Sequence, residues 1–97
     1  MTALIDVTQA DIDRANDRRE ELSGVSAAWC PIAFALRRQF PKGVRFSASP
    51  DCLEVVPERW NEGPMFYCRT TPTIQRWMRR WDRTWEAKPH RFRVKVR

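Results

Sequence analysis

Residues 71–85, which read TPTIQRWMRRWDRTW, predict the helix around which the rest of the chain folds. Its large apolar side chains recur at the spacing that lines one face of an α-helix: Ile74, Trp77, Met78, Trp81 and Trp85. Pro72 suits the first helical position because its missing N–H would have no partner there, and Thr71 suits the cap. Lys88-Pro89 predicts the end of the helix. Three tryptophans carry enough apolar surface to make this helix the centre of a small core.

The other arc of the same helix is basic, and the charge of the whole chain is uneven. The helix arginines are Arg76, Arg79, Arg80 and Arg83. Residues 1–68 hold eight Lys/Arg and ten Asp/Glu, whereas residues 69–97 hold ten Lys/Arg and only two acidic residues. The resulting net charges, −2 and +8, predict a basic C-terminal face and an acidic partner.

The first half of the chain predicts one strand and two helices. Ala3 to Val7 is short and β-prone, which is typical of an edge strand. Thr8 with Asp11 resembles a capping box, so a helix should begin near Gln9. We expect it to end near Asn16, the alternative being an extension toward Leu22. Residues 29–40 predict the second strong helix, with Pro31 in its first turn.

The second half predicts the remaining strands. Residues 44–48 alternate as a strand, residues 49–51 are a turn and residues 52–56 are a second strand, so the two strands should pair as a hairpin. Residues 65–69 predict a short strand, and residues 91–97 alternate apolar and cationic side chains. Together these elements predict an α+β fold. We expect one domain, residues 1–97, with an antiparallel sheet of about four or five strands and two main helices packed on one face.

Composition limits the class of protein. Ninety-seven residues suffice for one core. No apolar run approaches the ~20 residues of a membrane span, and the acidic start MTALIDVTQADID does not read as a signal peptide. The three cysteines, Cys30, Cys52 and Cys68, have no close pair, so we expect buried free thiols and a cytoplasmic location.

Catalytic and metal-binding patterns are not found in the sequence. His90 is the only histidine, and the cysteines lie 22 and 16 residues apart, whereas structural zinc sites show closely spaced ligand pairs. Asp11 with Asp13 is a close acidic pair, but on a surface helix we expect it to face solvent. The three glycines are isolated, so no phosphate-binding loop is predicted. We therefore expect neither an enzyme nor a cofactor or metal site.

Binding is the remaining function, and the basic residues are its candidates. The candidate partner-binding residues are Arg76, Arg79, Arg80, Arg83, Arg91, Arg93, Lys95, Arg97 and Trp60. Trp60, in the predicted loop at residues 57–64, and Trp29 are the tryptophans best placed for exposed contacts. The cations suit a phosphate backbone, an acidic protein surface or simply a solvated face, and the sequence leaves these readings open.

Several short motifs, spread over nearly the full length, resemble those of one group of proteins. They are Val7-Thr8 with Asp11-Ile12, the CPIAFALRR helix start at Cys30–Arg38, the WMRRWDR run at Trp77–Arg83, and Pro89–Val94. This pattern is similar to that of small uncharacterised proteins encoded by bacteriophages and prophages. The resemblance implies a phage context and supplies no catalytic residues.

A non-enzymatic binding protein is therefore the expected function. We expect it to associate with, and inhibit, a host protein or nucleoprotein complex through the basic C-terminal face, as anti-CRISPR-like anti-defence proteins do. Direct nucleic-acid binding by the same face and a structural or accessory phage role are the alternatives. The oligomeric state stays open.

Overall fold

The computed structural model describes residues 2–22, 29–59 and 65–96, and within these ranges the chain alternates strands and helices. The elements are β1 (Thr2–Val7), α1 (Gln9–Leu22), α2 (Pro31–Gln39), β2 (Gly43–Ala48), β3 (Cys52–Pro57), β4 (Phe66–Arg69), α3 (Pro72–Thr84) and β5 (His90–Lys95). The predicted α+β class is confirmed.

The five strands form two antiparallel sheets. β1 pairs with β5, with Ile5 opposite Phe92, and β2, β3 and β4 form the second sheet in that order. The predicted hairpin of β2 and β3 is confirmed. We expected the strands in one sheet, but β4 lies beside β5 without joining it in the described part of the chain. Periodicity identifies strands one at a time and does not determine which distant strands pair.

Helix α1 is longer than expected, and contacts with α3 explain its length. It continues to Leu22 and not only to Asn16. The Arg19 guanidinium donates to the backbone carbonyls of Trp81 and Asp82, and Trp81 Nε1 donates to Asn16 Oδ1 at 2.7 Å. The weakly patterned charged segment is therefore held by tertiary contacts that its own sequence does not reveal.

The start of α1 confirms the predicted cap but corrects one expectation. Thr8 N–H donates to Asp11 Oδ2 at 2.9 Å, and Asp11 N–H donates to Thr8 Oγ1 at 3.3 Å. We expected Asp11 to face solvent, yet its side chain is only 1% exposed. Arg38 Nη2 of α2 lies 3.0 Å from the same carboxylate oxygen, so the buried charge is paired.

Helix α2 covers the outer edge of β1. Gln39 acts as a substitute strand residue: Asp6 N–H donates to its Oε1 at 2.9 Å, and its Nε2 donates to Leu4 O at 2.8 Å. These bonds occupy the outward groups of β1 at Leu4 and Asp6, which protects this part of the edge from pairing with another chain.

Helix α3 is the central core element that the sequence predicts, with two corrections. Thr71 caps it, Ile74 and Met78 are buried, and Trp81 is 1% exposed. The helix ends at Thr84, before Lys88-Pro89, because the next residue, Trp85, adopts a left-handed conformation with φ 61°. Trp85 therefore leaves the apolar face and is 40% exposed.

Candidate binding surface

The arginines of α3 form the first group of candidate residues. Arg76, Arg79, Arg80 and Arg83 are all exposed, as the helical spacing predicts. The ion pairs among the described residues involve other cations, namely Arg18, Arg38 and Arg91. The four guanidinium groups, which we call the helix surface, are therefore available to a partner over about 10 Å of helix axis.

The cations of β5 form the second group. The strand alternates as predicted, with Phe92 and Val94 buried and Arg91, Arg93 and Lys95 exposed. Arg91 Nε lies 3.4 Å from Asp6 Oδ1 on β1, so its charge is partly compensated within the sheet. Arg93 and Lys95 form no ion pair with any residue that the structure describes.

The helix surface and the β5 cations do not share one face. Trp77 of α3 packs edge-on against Phe92, with ring centroids 5.7 Å apart, so α3 covers the apolar face of β5. Successive side chains of a strand project to opposite faces, and Arg93 and Lys95 therefore project from the face that α3 does not cover. The single basic C-terminal face of the sequence prediction thus divides into two surfaces.

A cleft of about 980 Å³ lies beside the surface that Arg93 and Lys95 form on β5. Its walls are the end of β4, the first turn of α3 and the second half of β5, with Thr2 at one side. Arg69, Arg93 and Lys95 bring three cationic side chains to it, and Pro72, Val94 and Val96 line its apolar part. We call this the β4–β5 cleft.

Arg69 is the candidate residue that the sequence analysis missed. It ends β4 and is exposed, and it lies at the start of the basic segment that the charge count identifies. That position was a usable signal. Its proximity to Arg93 and Lys95 was not predictable, because it depends on how β4 and β5 lie beside each other.

A smaller hollow of about 280 Å³ joins the helix surface to the start of β5. Trp77, Arg80, Lys88 and His90 line it together with Ala87. The His90 ring packs against Phe92 with centroids 4.5 Å apart, and Trp77 Nε1 donates to Lys88 O at 3.1 Å. These contacts hold the rings of His90 and Trp77 in place, and both rings pack where α3 meets the start of β5.

The tryptophans proposed as exposed contacts are placed differently. Trp60 and Arg97 lie outside the described residues. Trp29 is half-buried and contacts two guanidinium groups, with Arg18 4.4 Å and Arg37 4.3 Å from its ring centroid. Trp29 therefore contributes to packing between α1 and α2.

The cysteine thiols and possible metal ligands were the remaining chemical groups of interest. The three cysteines are unbonded, and burial raises the pKa of Cys30 and of Cys68 to about 11. A thiol of such high pKa is a poor nucleophile at neutral pH. No group of three or more His, Cys, Asp or Glu side chains within residues 2–22, 29–59 and 65–96 is arranged to hold a metal.

No helix within these ranges has the length and apolar character needed to cross a membrane. Comparison with protein-family models, with curated proteins and with solved structures finds no match to the chain.

Proposed function

We propose that this protein acts by stoichiometric binding to an acidic surface of a host protein or nucleoprotein complex, with the helix surface as its principal contact. The observation that carries the proposal is the set of four exposed arginines on one rigid helix, without an ion pair to any described residue. Arginine is favoured at protein interfaces because its planar guanidinium binds carboxylates through two parallel hydrogen bonds.

The rigidity of α3 supports this role. Thr71 caps the helix at one end, and Arg19 binds the last carbonyls at the other. Trp81 and Ile74 anchor its inner face in the core. A rigid support lowers the entropy lost when its side chains bind a partner.

Nucleic-acid binding is the alternative, and the division of the cations makes it second. A protein that follows a long phosphate backbone needs a continuous positive track. Here the helix surface and the β5 cations project on different sides of the fold. Two short basic surfaces suit local acidic patches on a protein better than they suit one extended polyanion.

The cellular setting is part of the proposal. The resemblance to small phage and prophage proteins supports a host target, and unbonded cysteines support action in the host cytosol. Binding that covers a functional surface of the target would inhibit it. If the target is a host defence complex, this inhibition is the anti-defence role that we propose.

The test separates the two partners. Arg79→Glu reverses one charge of the helix surface. Arg45→Glu, on β2 and outside the helix surface, makes the same change in net charge. Fluorescence anisotropy with duplex and single-stranded DNA is measured at about 50 mM and 200 mM salt. Micromolar binding that collapses between those salts and weakens equally in both variants would favour a nucleic acid and contradict the proposal.

A further inference from the structure

One edge of β5 pairs with no strand in the part of the chain that the structure describes. On β1, the Asp6 N–H and the Leu4 C=O bind the Gln39 side chain, so both groups point away from β5. Arg93 lies directly opposite Leu4. Leu4 and Arg93 are therefore a non-hydrogen-bonded pair, in which the N–H and C=O of each residue point away from the opposite strand. The N–H and C=O of Arg93 thus point away from β1. The two-residue period places those of Lys95 on the same side.

One edge of β4 likewise lacks a partner strand within residues 2–22, 29–59 and 65–96. Thr70 N–H donates to Asp51 O at 3.2 Å, and these two residues flank the Cys52–Arg69 pair. Hydrogen-bonded and non-hydrogen-bonded pairs alternate along an antiparallel ladder, so Cys52 and Arg69 are a non-hydrogen-bonded pair. The N–H and C=O of Arg69 therefore point away from β3. Among the described residues, β4 and β5 share no backbone hydrogen bond.

Both free edges border the β4–β5 cleft. Arg69 contributes to one wall, and Arg93 and Lys95 contribute to the other. The cleft is therefore bordered by backbone donors and acceptors that no described strand uses, and exposed edges of this kind are templates for a further strand.

We propose that the β4–β5 cleft binds an extended acidic segment of a partner protein, which pairs its backbone with β5 at Arg93 and Lys95. The three cationic side chains supply the charge complementarity, and they lie on the outer face of the strands. Val94, on the inner face, and the cleft residues Val96 and Pro72 are apolar. The segment that fits alternates acidic and apolar residues, because successive side chains of a strand face opposite ways.

This inference rests on the proposed function, since it assigns the acidic partner a second and more specific contact. The helix surface then supplies charge attraction, and the cleft supplies register through backbone pairing.

The test is hydrogen exchange measured by NMR on the full chain, with and without an acetylated, amidated peptide of sequence Glu-Val-Glu-Val-Glu-Val. Without peptide, the amides of Arg93 and Lys95 should exchange faster than those of Phe92 and Val94, which pair with β1. With peptide, the first two amides should become protected. Protection of Arg93 and Lys95 before any peptide is added would overturn the inference.

Three control ligands define the chemistry. Replacing Glu by Gln in the peptide removes the charge, and N-methylation of alternate residues removes the backbone donors, so each should weaken binding. A tetrathymidylate carries the same three negative charges without a strand-forming backbone. If it protects the same amides as well as the peptide does, the cleft binds phosphate chains and the inference is wrong.

Two variants complete the experiment. The double variant Arg93→Glu and Lys95→Glu should weaken peptide binding about tenfold, whereas Arg45→Glu should leave it unchanged. Failure of the peptide to protect either amide would overturn this inference alone. The proposed function fails separately, if Arg79→Glu leaves the capture of a host partner unchanged.

Discussion

The tryptophans show what helical spacing can and cannot predict for a single residue. Trp77, Trp81 and Trp85 have the same spacing, yet they are half-buried, buried and 40% exposed, respectively. Trp81 is buried as predicted because it faces α1. Trp85 differs because the chain enters a left-handed conformation there, which hydrophobic spacing does not encode. Its indole instead packs on Arg19, 4.2 Å from the guanidinium carbon to the ring centroid.

Trp81→Ala should lower the free energy of unfolding by about 3–5 kcal/mol, because it leaves a large cavity and removes the donor to Asn16 Oδ1. Urea unfolding measures this change. Trp85→Ala is the matched control and should cost no more than about 1 kcal/mol, since the side chain is partly solvated. Equal losses in the two variants would contradict the assignment of Trp81 as the anchor of the core.

The buried cysteines give a prediction about pH. Burial raises the pKa of Cys30 and Cys68 from the ordinary 9.0 to about 11, so the unfolded chain loses these protons first. The stability that the two protonated thiols contribute is complete below about pH 9 and declines as the pH rises toward 11. Unfolding measured from neutral pH to about pH 11 should show this decline, and Cys30→Ala with Cys68→Ala should reduce it.

Thiol labelling offers a separate check of the same burial. Cys52 is half-exposed, whereas Cys30 and Cys68 are buried. A thiol reagent at about pH 8 should therefore modify Cys52 rapidly in the folded protein and all three cysteines after denaturation. Rapid native labelling of Cys30 or Cys68 would contradict their burial.

At the level of single elements, the starts of α1 and α3 were predictable and their ends were not. Thr8 and Thr71 cap their helices as expected because capping is a local signal. The end of α1 depends on Arg19, which reaches α3 across more than sixty residues of sequence. No local pattern contains that contact, and this explains why the sequence favoured an end near Asn16.

Arg19→Ala should destabilise the fold by about 1–3 kcal/mol, because two charge-assisted hydrogen bonds to the C-terminal carbonyls of α3 are lost. Denaturant unfolding followed by circular dichroism measures this loss. Arg14→Ala, an exposed change on the same helix, is the control and should stay within about 0.5 kcal/mol of the parent. If the two variants are equally stable, Arg19 does not secure the α1–α3 contact.

At the scale of the whole molecule, the sequence predicts the class of fold and the amount of charge. It does not predict how the strands pair or where the cationic side chains lie relative to one another. The five strands were recognisable, by alternation in residues 44–48 and 91–97 and as short β-prone or apolar runs elsewhere. Their division into two sheets was not, because β1 and β5 lie at opposite ends of the chain and pair only through tertiary folding. The positions of the cations also depend on tertiary folding. Each cation was identifiable from the sequence, but the orientation of β5 against α3 separates them into two surfaces.

The most direct measurement is affinity capture from host lysate with quantitative mass spectrometry, using the parent protein, Arg79→Glu and Arg45→Glu. All three should melt at about the same temperature, because both substituted side chains are exposed. The proposed function predicts one partner that the parent and Arg45→Glu retain in stoichiometric amount and that Arg79→Glu loses. Equal capture of the same partner by all three proteins would contradict the role of the helix surface.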